Sequence, residues 1–578
     1  MQDLGVGAVQ FVPVFDSDND EVNNKKYNWG YNPLNYNCVE GVYSSDPHDG
    51  KVRISEFKEM ILELANAGMR TIMDVVYNHV SSPTASCFNK LMPRYYFRYA
   101  KKGDNEVNLG WIQPGELYDG SGCHNEFKSE ATMARKYIVD SVCMWAREYN
   151  IKGFRFDLMA LIDGYTMKDV KKALYEIDPS IYVYGEGWTA DRFHGKKTWY
   201  DLNGNGIDYS SEDEHLDSFG AFAVPGGDDQ YQLHTNHGYQ VYSELYNAPG
   251  EQSCWLGAFD GSGRDALKGD NNPGYGFINK GRNDLNDGFR TSLENIIYGK
   301  RADGQGANPK QVVQYASCHD NYTLRDHLYA TLGGEQAPYL IDVLHGLMAV
   351  ETMIFASNSA AFMLGGEELL RTKEIKYVSD KTSPEYANNN VTDEEFDKIP
   401  VTTYRNHYGH MLSHNSYNSP LNVNSFKWGN KVSITDDHNQ TINMKTENLT
   451  AQFASLIQLH KDMPKYDYDE INAIYTNHET TAHNHIDNFS WHGSIWNSDL
   501  NYGAGGDEDT NSVVCIQYDE WFVFVCAREF GYVRNADING WTKHAWGGVH
   551  SFNTGTNCLD LGDGGTGIGL SCVVYERG

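Results

Sequence analysis

An arginine and an aspartate stand two positions apart at the end of the apolar and aromatic run Gly153-Phe154-Arg155-Phe156-Asp157. In a strand, residues i and i+2 point to one side, so Arg155 and Asp157 share a face. A guanidinium beside a carboxylate keeps that carboxylate ionised at neutral pH, which is the state a carboxylate nucleophile needs. Taken alone, the stretch is read more simply as a strand ending in a capping aspartate, with Arg155 as its ion pair. Three further runs repeat the design. Thr71–His79 delivers Asp74, Asn78 and His79, Ile181–Trp188 delivers Glu186, and Val312–Asp320 delivers His319 and Asp320. Capping does not account for four apolar runs that each end in acids or histidines, and a shared site does.

The elements that must position these residues follow from the spacing between them. Helical patterns separate several of the runs. Ile54, Phe57, Ile61, Leu64 and Ala65 recur at helical spacing, with Ser55 as a candidate N-cap and Gly68 as the stop. Ile138, Val142, Trp145 and Tyr149 share one helix face, and Leu340–Phe355 is an apolar helix. Alternating strands and helices imply a parallel sheet. Polar residues at strand C-termini mark the active mouth of a (β/α)8 barrel. The expected barrel occupies residues 1–460, with strands at Val6–Pro13, the four runs above, Ala360–Gly365, and one between Gly276 and Arg290. Seven strands are found and the first place in the barrel stays vacant, so the first strand is expected to lie outside this chain. A loop subdomain is expected at about 80–128 and a surface insertion at about 372–413. Ser512–Tyr518, Trp521–Ala527 and Leu570–Tyr575 alternate with turn residues, which predicts a C-terminal antiparallel β-sandwich over 461–578.

Composition narrows the partners. The chain of 578 residues carries a formal net charge of −31, which argues against nucleic acid or anionic membranes as partners. That charge suits a neutral ligand and also serves solubility. Aromatics reach 13%, with 39 tyrosines, and flat rings with a polar tip stack well on sugar faces. Asn28-Trp29-Gly30-Tyr31-Asn32-Pro33, preceded by Tyr27, reads as a rigid aromatic loop for that purpose, with a packed aromatic turn as the alternative. No apolar run of membrane-spanning length occurs. The 10 cysteines are scattered rather than framed as disulfides, which favours a cytoplasmic compartment without excluding secretion. Oligomeric state is not legible.

Asp74–His79, Gly153–Asp157, Gly185–Trp188 and His319-Asp320-Asn321 resemble, in order and spacing, the four signature strands of the α-amylase clan of retaining glycoside hydrolases. Tyr27–Pro33 is similar to the loop signature of type I pullulanases, the debranching subgroup. Gly120–Glu126, Gly365–Lys373 and Asn415–Pro420 support that subgroup. The resemblance implies cleavage of α-1,6 linkages in pullulan, amylopectin or glycogen. It implies Asp157 as nucleophile, Glu186 as acid/base and Asp320 as the transition-state carboxylate. Tyr31, His79, Arg155, Trp188 and His319 match sugar-binding positions, while Asp74 and Asn78 match structural ones. Within enzymes, the alternative is an isoamylase-like or mixed α-1,4/α-1,6 hydrolase. In another class, it is a truncated glucan-binding protein without activity. The chain departs from the family at Asn32, where Asp is usual, at His124, where Gly is common, and at Cys318, where a less bulky side chain is common. The family's N-terminal glucan-binding module has no counterpart here.

The chemistry implied needs no cofactor. One motif lies outside the set: Asp201, Asn203, Asn205 and Glu212 fit the oxygen-ligand spacing of a calcium loop. Asp208 stands where an aliphatic residue usually packs, so a solvated turn remains the alternative. His478, His483 and His485 in a polar loop read as solvent-facing rather than as a metal cluster.

Overall fold

The computed structural model describes chiefly residues 1–22, 28–100, 113–123, 125–187, 256–270, 274–279, 287–300, 309–332, 337–375, 411–417, 421–428 and 448–463. Beyond these it describes 513–517, 521–527, 530–534, 538–555, 558–562 and 570–577, with short strands and isolated positions between.

Seven strands form one parallel sheet in chain order: β1 (Ala8–Phe11), β2 (Arg70–Val75), β3 (Gly153–Phe156), β4 (Tyr182–Gly185), β5 (Gly257–Phe259), β6 (Val312–Tyr315) and β7 (Ala360–Phe362). Every neighbouring pair is parallel. Among the described residues β1 and β7 are the two edges of this sheet. Helices α1 (Gly50–Asn66), α2 (Thr132–Tyr149), α3 (Gly164–Ile177), α4 (Gly261–Lys268), α5 (Asp287–Ile297), α6 (Leu324–Thr331) and α7 (Leu340–Phe355) lie between the strands. This is the strand–helix alternation of a (β/α)8 barrel. The register sets Asp74 level with Arg155 and Arg155 level with Tyr184. Three polar side chains therefore meet at one height across β2, β3 and β4.

Two expectations need correction. The strand expected between Gly276 and Arg290 is β5, which lies earlier. In the expected span, the described residues are a turn at 277–279 and the start of α5. Gly257-Ala258-Phe259 is too short, and too rich in small residues, to show a strand period. The N-cap of α1 is Asp49, which accepts from the Lys51 N–H, not Ser55. The first turn, Gly50-Lys51-Val52-Arg53, presents no apolar period, so the pattern starts a turn late. Gly68 does end the helix, at φ 78°, a conformation glycine adopts without a Cβ penalty.

Two antiparallel sheets follow. One runs Ser490–Trp491, Val513–Gln517, Trp521–Cys526, Ser571–Glu576, Thr542–Gly547 in spatial order. The other runs Asn501–Ala504, Phe530–Arg534, Cys558–Gly562, Val549–Asn553. The first sheet is buried on both faces, which explains its unbroken apolar runs. Val514, Ile516, Val523, Val525 and Val574 join the core of α7 and of α8 (Leu449–Asp462). Val513, Cys515, Phe522, Phe524 and Val573 join Val533 and Leu559 of the second sheet. The nine cysteines among the described residues are all free thiols. Among those residues no helix is long and apolar enough to cross a membrane.

Candidate active site

The C-terminal ends of β2, β3, β4 and β6 bring the predicted residues together. Arg155 projects from β3 and is buried, and its guanidinium faces three carboxylates. Nη1 donates to Asp74 Oδ1 at 2.9 Å and to Asp157 Oδ1 at 3.1 Å, while Nη2 pairs closely with Glu186 Oε1. Its Nε has no partner among the described residues. Burial alone would lower the Arg155 pKa, but the carboxylates around it, Asp74 first, raise it well above the ordinary value. Arg155 is thus a permanent cation that fixes the site's acids in place.

Asp157 is also held from the next strand. Asn78 Nδ2 donates to Asp157 Oδ2 at 2.8 Å and to its backbone carbonyl at 2.9 Å. Asn78, matched above to a structural position, therefore touches the candidate nucleophile directly. Asp74 likewise grips Arg155 and accepts from the Tyr31 hydroxyl at 2.6 Å. Burial raises the Asp74 pKa to about 6, with Arg155 opposing.

Glu186 follows β4 at Gly185, where a Cβ would lie 2.4 Å from the Phe156 carbonyl oxygen. Only glycine lets β4 approach β3 this closely, which sets Glu186 beside Arg155. The Leu158 N–H donates to Glu186 Oε2 at 3.1 Å. Burial pushes the Glu186 pKa up to about 8 against the pull of Arg155, and the Asp157 and Asp320 carboxylates add to the rise. Such a group carries its proton at neutral pH, as a general acid must.

Asp320 is half-buried, with Oδ2 3.3 Å from His319 Nε2. Burial raises its pKa, but His319, Arg155 and Lys373 outweigh that and hold the carboxyl below the usual range. Glu186 and Asp320 thus lie on opposite sides of neutrality in one cleft, the separation that divides acid from anion.

Tyr31 stacks on His319 with ring centroids 4.8 Å apart and an interplanar angle of 18°. Trp29 meets His319 edge-on at 5.0 Å. His79, which matches a sugar-binding position, lies against the aromatic loop. Its Nε2 bonds the Tyr31 carbonyl at 2.8 Å and its Nδ1 the Asn78 side-chain oxygen at 2.5 Å. Through the Tyr31 carbonyl His79 ties the aromatic loop to the end of β2. Tyr27, His124, Trp188, the calcium-type residues Asp201, Asn203, Asn205 and Glu212, and His478, His483 and His485 lie outside the described residues.

A small cleft opens among Gln10, Arg155, Glu186, Phe259, Tyr315 and Cys318. Gln10 escaped the sequence reading. It is the one polar residue of β1, receives the Tyr184 hydroxyl and lies 3.5 Å from Asp74 Oδ2. Its isolation in an apolar strand was the available signal. Lys373 was noted only as part of a motif. Buried on its segment, it donates from Nζ to the carbonyls of His319 and Asn321, which flank Asp320, the latter at 2.7 Å.

Comparison with known proteins agrees with this geometry. The family model "Alpha amylase, catalytic domain" matches residues 1–114. The chain is 30% identical over 385 residues to a pullulanase of Bacillus subtilis (strain 168), covering 65% of this chain and 44% of that protein. It is 32% identical over 362 residues to a pullulanase of Klebsiella pneumoniae, covering 60% and 31%. The chain therefore spans less than half the length of these curated relatives. Among solved structures, a pullulanase from Anoxybacillus sp. LM18-11 complexed with maltotetraose superposes with a TM-score of 0.66 at 25% identity, covering 100% of this chain and 64% of that one. A pullulanase from Paenibacillus barengoltzii, complexed with maltohexaose and α-cyclodextrin, gives 0.62 at 26% identity, covering 100% and 70%. With its signature residues assembled on a parallel barrel sheet, the chain is similar in sequence and in fold to pullulanase-type enzymes of the α-amylase family.

Proposed function

We propose that this protein hydrolyses α-1,6-glucosidic branch linkages of α-glucans by a retaining double displacement. The observation that carries the reading is the single guanidinium of Arg155 holding Asp157 and Glu186 at once. Retention needs two carboxyls about 5–5.5 Å apart, closer than the gap that admits an attacking water. A shared cation supports that short spacing. Glu186, protonated at neutral pH, gives its proton to the oxygen of the leaving glucan. Asp157 attacks the anomeric carbon, and a glucosyl ester forms on its carboxylate as the C–O bond breaks. Glu186, now ionised, takes a proton from water, which attacks the ester and frees Asp157. Asp320, kept anionic, stabilises the positive charge that develops on the sugar. The Tyr31 ring offers a stacking face to that sugar, with His319 behind it and His79 fixing its loop. Trp188 adds a further sugar contact in this reading.

None of these steps calls for a cofactor. The spacing at Asp201, Asn203, Asn205 and Glu212 is proposed as a stabilising calcium loop, for which added calcium raises the melting temperature of chelator-stripped protein by mass action. Unchanged melting assigns that stretch to a solvated turn. The linkage is tested by digestion. Pullulan is expected to yield maltotriose as main product while linear amylose stays nearly intact. Rapid amylose breakdown would transfer the protein to a mixed-specificity reading. A folded protein that binds glucan and cleaves neither would be a binding protein.

A further inference from the structure

The mouth of the cleft holds a set of ligand atoms that the hydrolytic reading leaves unexplained. Cys318, His319 and Asp320 follow β6 and bring one sulfur, one ring nitrogen and one carboxylate oxygen within 4.8 Å of one another. His319 Nε2 already stands 3.3 Å from Asp320 Oδ2. Two ligands of a tetrahedral zinc ion, at bond lengths of about 2.0–2.3 Å, sit roughly 3.2–3.7 Å apart. The nitrogen and oxygen have that spacing as they stand, and the sulfur, within 4.8 Å of both, closes in by a change of the Cys318 rotamer in the bound state.

The hydrogen bonds favour a cation between them. The Tyr31 hydroxyl has one proton and donates it to Asp74 Oδ2 at 2.6 Å. Toward His319 Nδ1, 3.4 Å away, that hydroxyl can act only as acceptor, so Nδ1 carries a hydrogen. In the neutral ring this leaves the Nε2 lone pair facing a carboxylate oxygen. Two acceptors at 3.3 Å repel unless a proton or a metal ion lies between them: a protonated His319 meets Asp320 as an ion pair, and a bound zinc ion takes the place of that proton. The Tyr31 contact also supplies the outer partner that a metal-bound histidine needs to fix its tautomer. The two cations nearby are committed elsewhere, Arg155 to three carboxylates and Lys373 to the carbonyls of His319 and Asn321. Glu186 lines the same cleft as Cys318 and His319 and adds an oxygen ligand or a hydrogen-bond partner for bound water.

We propose that Cys318, His319 and Asp320 form a binding site for zinc or another borderline divalent cation, and that occupancy shuts the active site reversibly. Binding deprotonates the Cys318 thiol and forms a metal–sulfur bond, the proton passing to solvent. The ion ties up Asp320 and blocks the space over Glu186. The inhibitory half rests on the catalytic reading above, whereas the binding half does not.

The full chain, stripped of metal, is titrated with zinc by calorimetry and with cobalt by absorption spectroscopy. Expected is a zinc site lost in Cys318→Ser, with affinity down at least about tenfold, and a thiolate-to-cobalt charge-transfer band absent from that variant. The zinc concentration that halves wild-type pullulan hydrolysis should leave Cys318→Ser near its own zinc-free rate, and a chelator should restore the wild type. Should Cys318→Ser melt abnormally, Cys318→Ala replaces it with the same expected losses. Equal zinc affinity in wild type and variant, or no charge-transfer band, overturns the site. Zinc binding through Cys318 in a protein that never cleaves pullulan would leave the site standing and remove the hydrolase reading alone.

Discussion

At the scale of single residues, burial and neighbouring charge together decide the chemistry. Asp157, Glu186 and Asp320 are carboxyls in one cleft, yet Glu186 is pushed up to about 8 and Asp320 is held low. The sign for Glu186 is that of an acid that must be protonated, so turnover should fall as pH rises through about 8. Glu186→Gln should cut kcat by about 100- to 10,000-fold and abolish that alkaline limb, as pH–rate profiles on pullulan would show. A variant that kept the wild-type limb would place the acid elsewhere. Asp157→Asn keeps shape but removes the attacking charge, and should lower turnover by at least as much with the melting temperature little changed. The carboxylates were legible because each ends an apolar run and a family resemblance names its role. Gln10 and Lys373 were not, since their parts arise from partners on distant segments. The contact of His79 Nε2 with the Tyr31 carbonyl was equally hidden, because only the folded loop brings the two together.

At the scale of elements, the segment after β7 steadies the loop after β6. Asp326, buried in the first turn of α6, accepts from the Thr372 hydroxyl at 2.6 Å and from the Lys373 N–H at 2.7 Å. Lys373 then reaches the carbonyls on either side of Asp320. Burial lowers its pKa to about 8, with Asp320 opposing. Lys373→Met should free that loop and lower kcat by about tenfold or more with KM less affected. An unchanged kcat would mean the tether is only structural. Behind β6, Glu367 accepts from Ser317 and from the Leu364 N–H, with Glu368 nearby, and the fully buried Glu351 of α7 faces it. Burial raises both pKa values, Glu367 to about 8. A raised folded pKa means that stability is complete below the ordinary carboxyl value near 4.5 and declines as pH rises to about 8. Thermal melts from pH 5 to 8 should therefore fall more steeply for the wild type than for Glu351→Gln. Parallel curves would show that the pair does not titrate in this range. Six of the seven barrel strands were readable from apolar runs, and β5 was not: Gly257-Ala258-Phe259 stops at Asp260, whereas the equally short Ala360–Phe362 runs on into Met363 and Leu364 and so shows a longer apolar run.

At the scale of the whole molecule, the C-terminal sheet and the barrel share one core through α7. Gly547 lets its strand lie against the helix backbone, where a Cβ would come within 3.1 Å of His345 Cα and 3.2 Å of its carbonyl. Backbone cannot yield as a flexible side chain does, so Gly547→Val should cost about 1–3 kcal/mol, seen as a lowered denaturant midpoint. An unchanged midpoint would mean that the sheet and α7 are not closely packed there. The unbroken apolar runs announced these strands, but the contact with α7 was invisible, since period cannot say which element covers a face. The claim on which everything else depends is that Asp157 forms the covalent bond to the sugar. The most direct measurement is peptide mass spectrometry of enzyme trapped with a fluorinated maltotriosyl fluoride that slows release of the intermediate. The sugar should be found on the peptide bearing Asp157, and Asp157→Asn should take up none. Label on Glu186 or Asp320 instead, or an active enzyme whose first product has inverted anomeric configuration, would contradict the account.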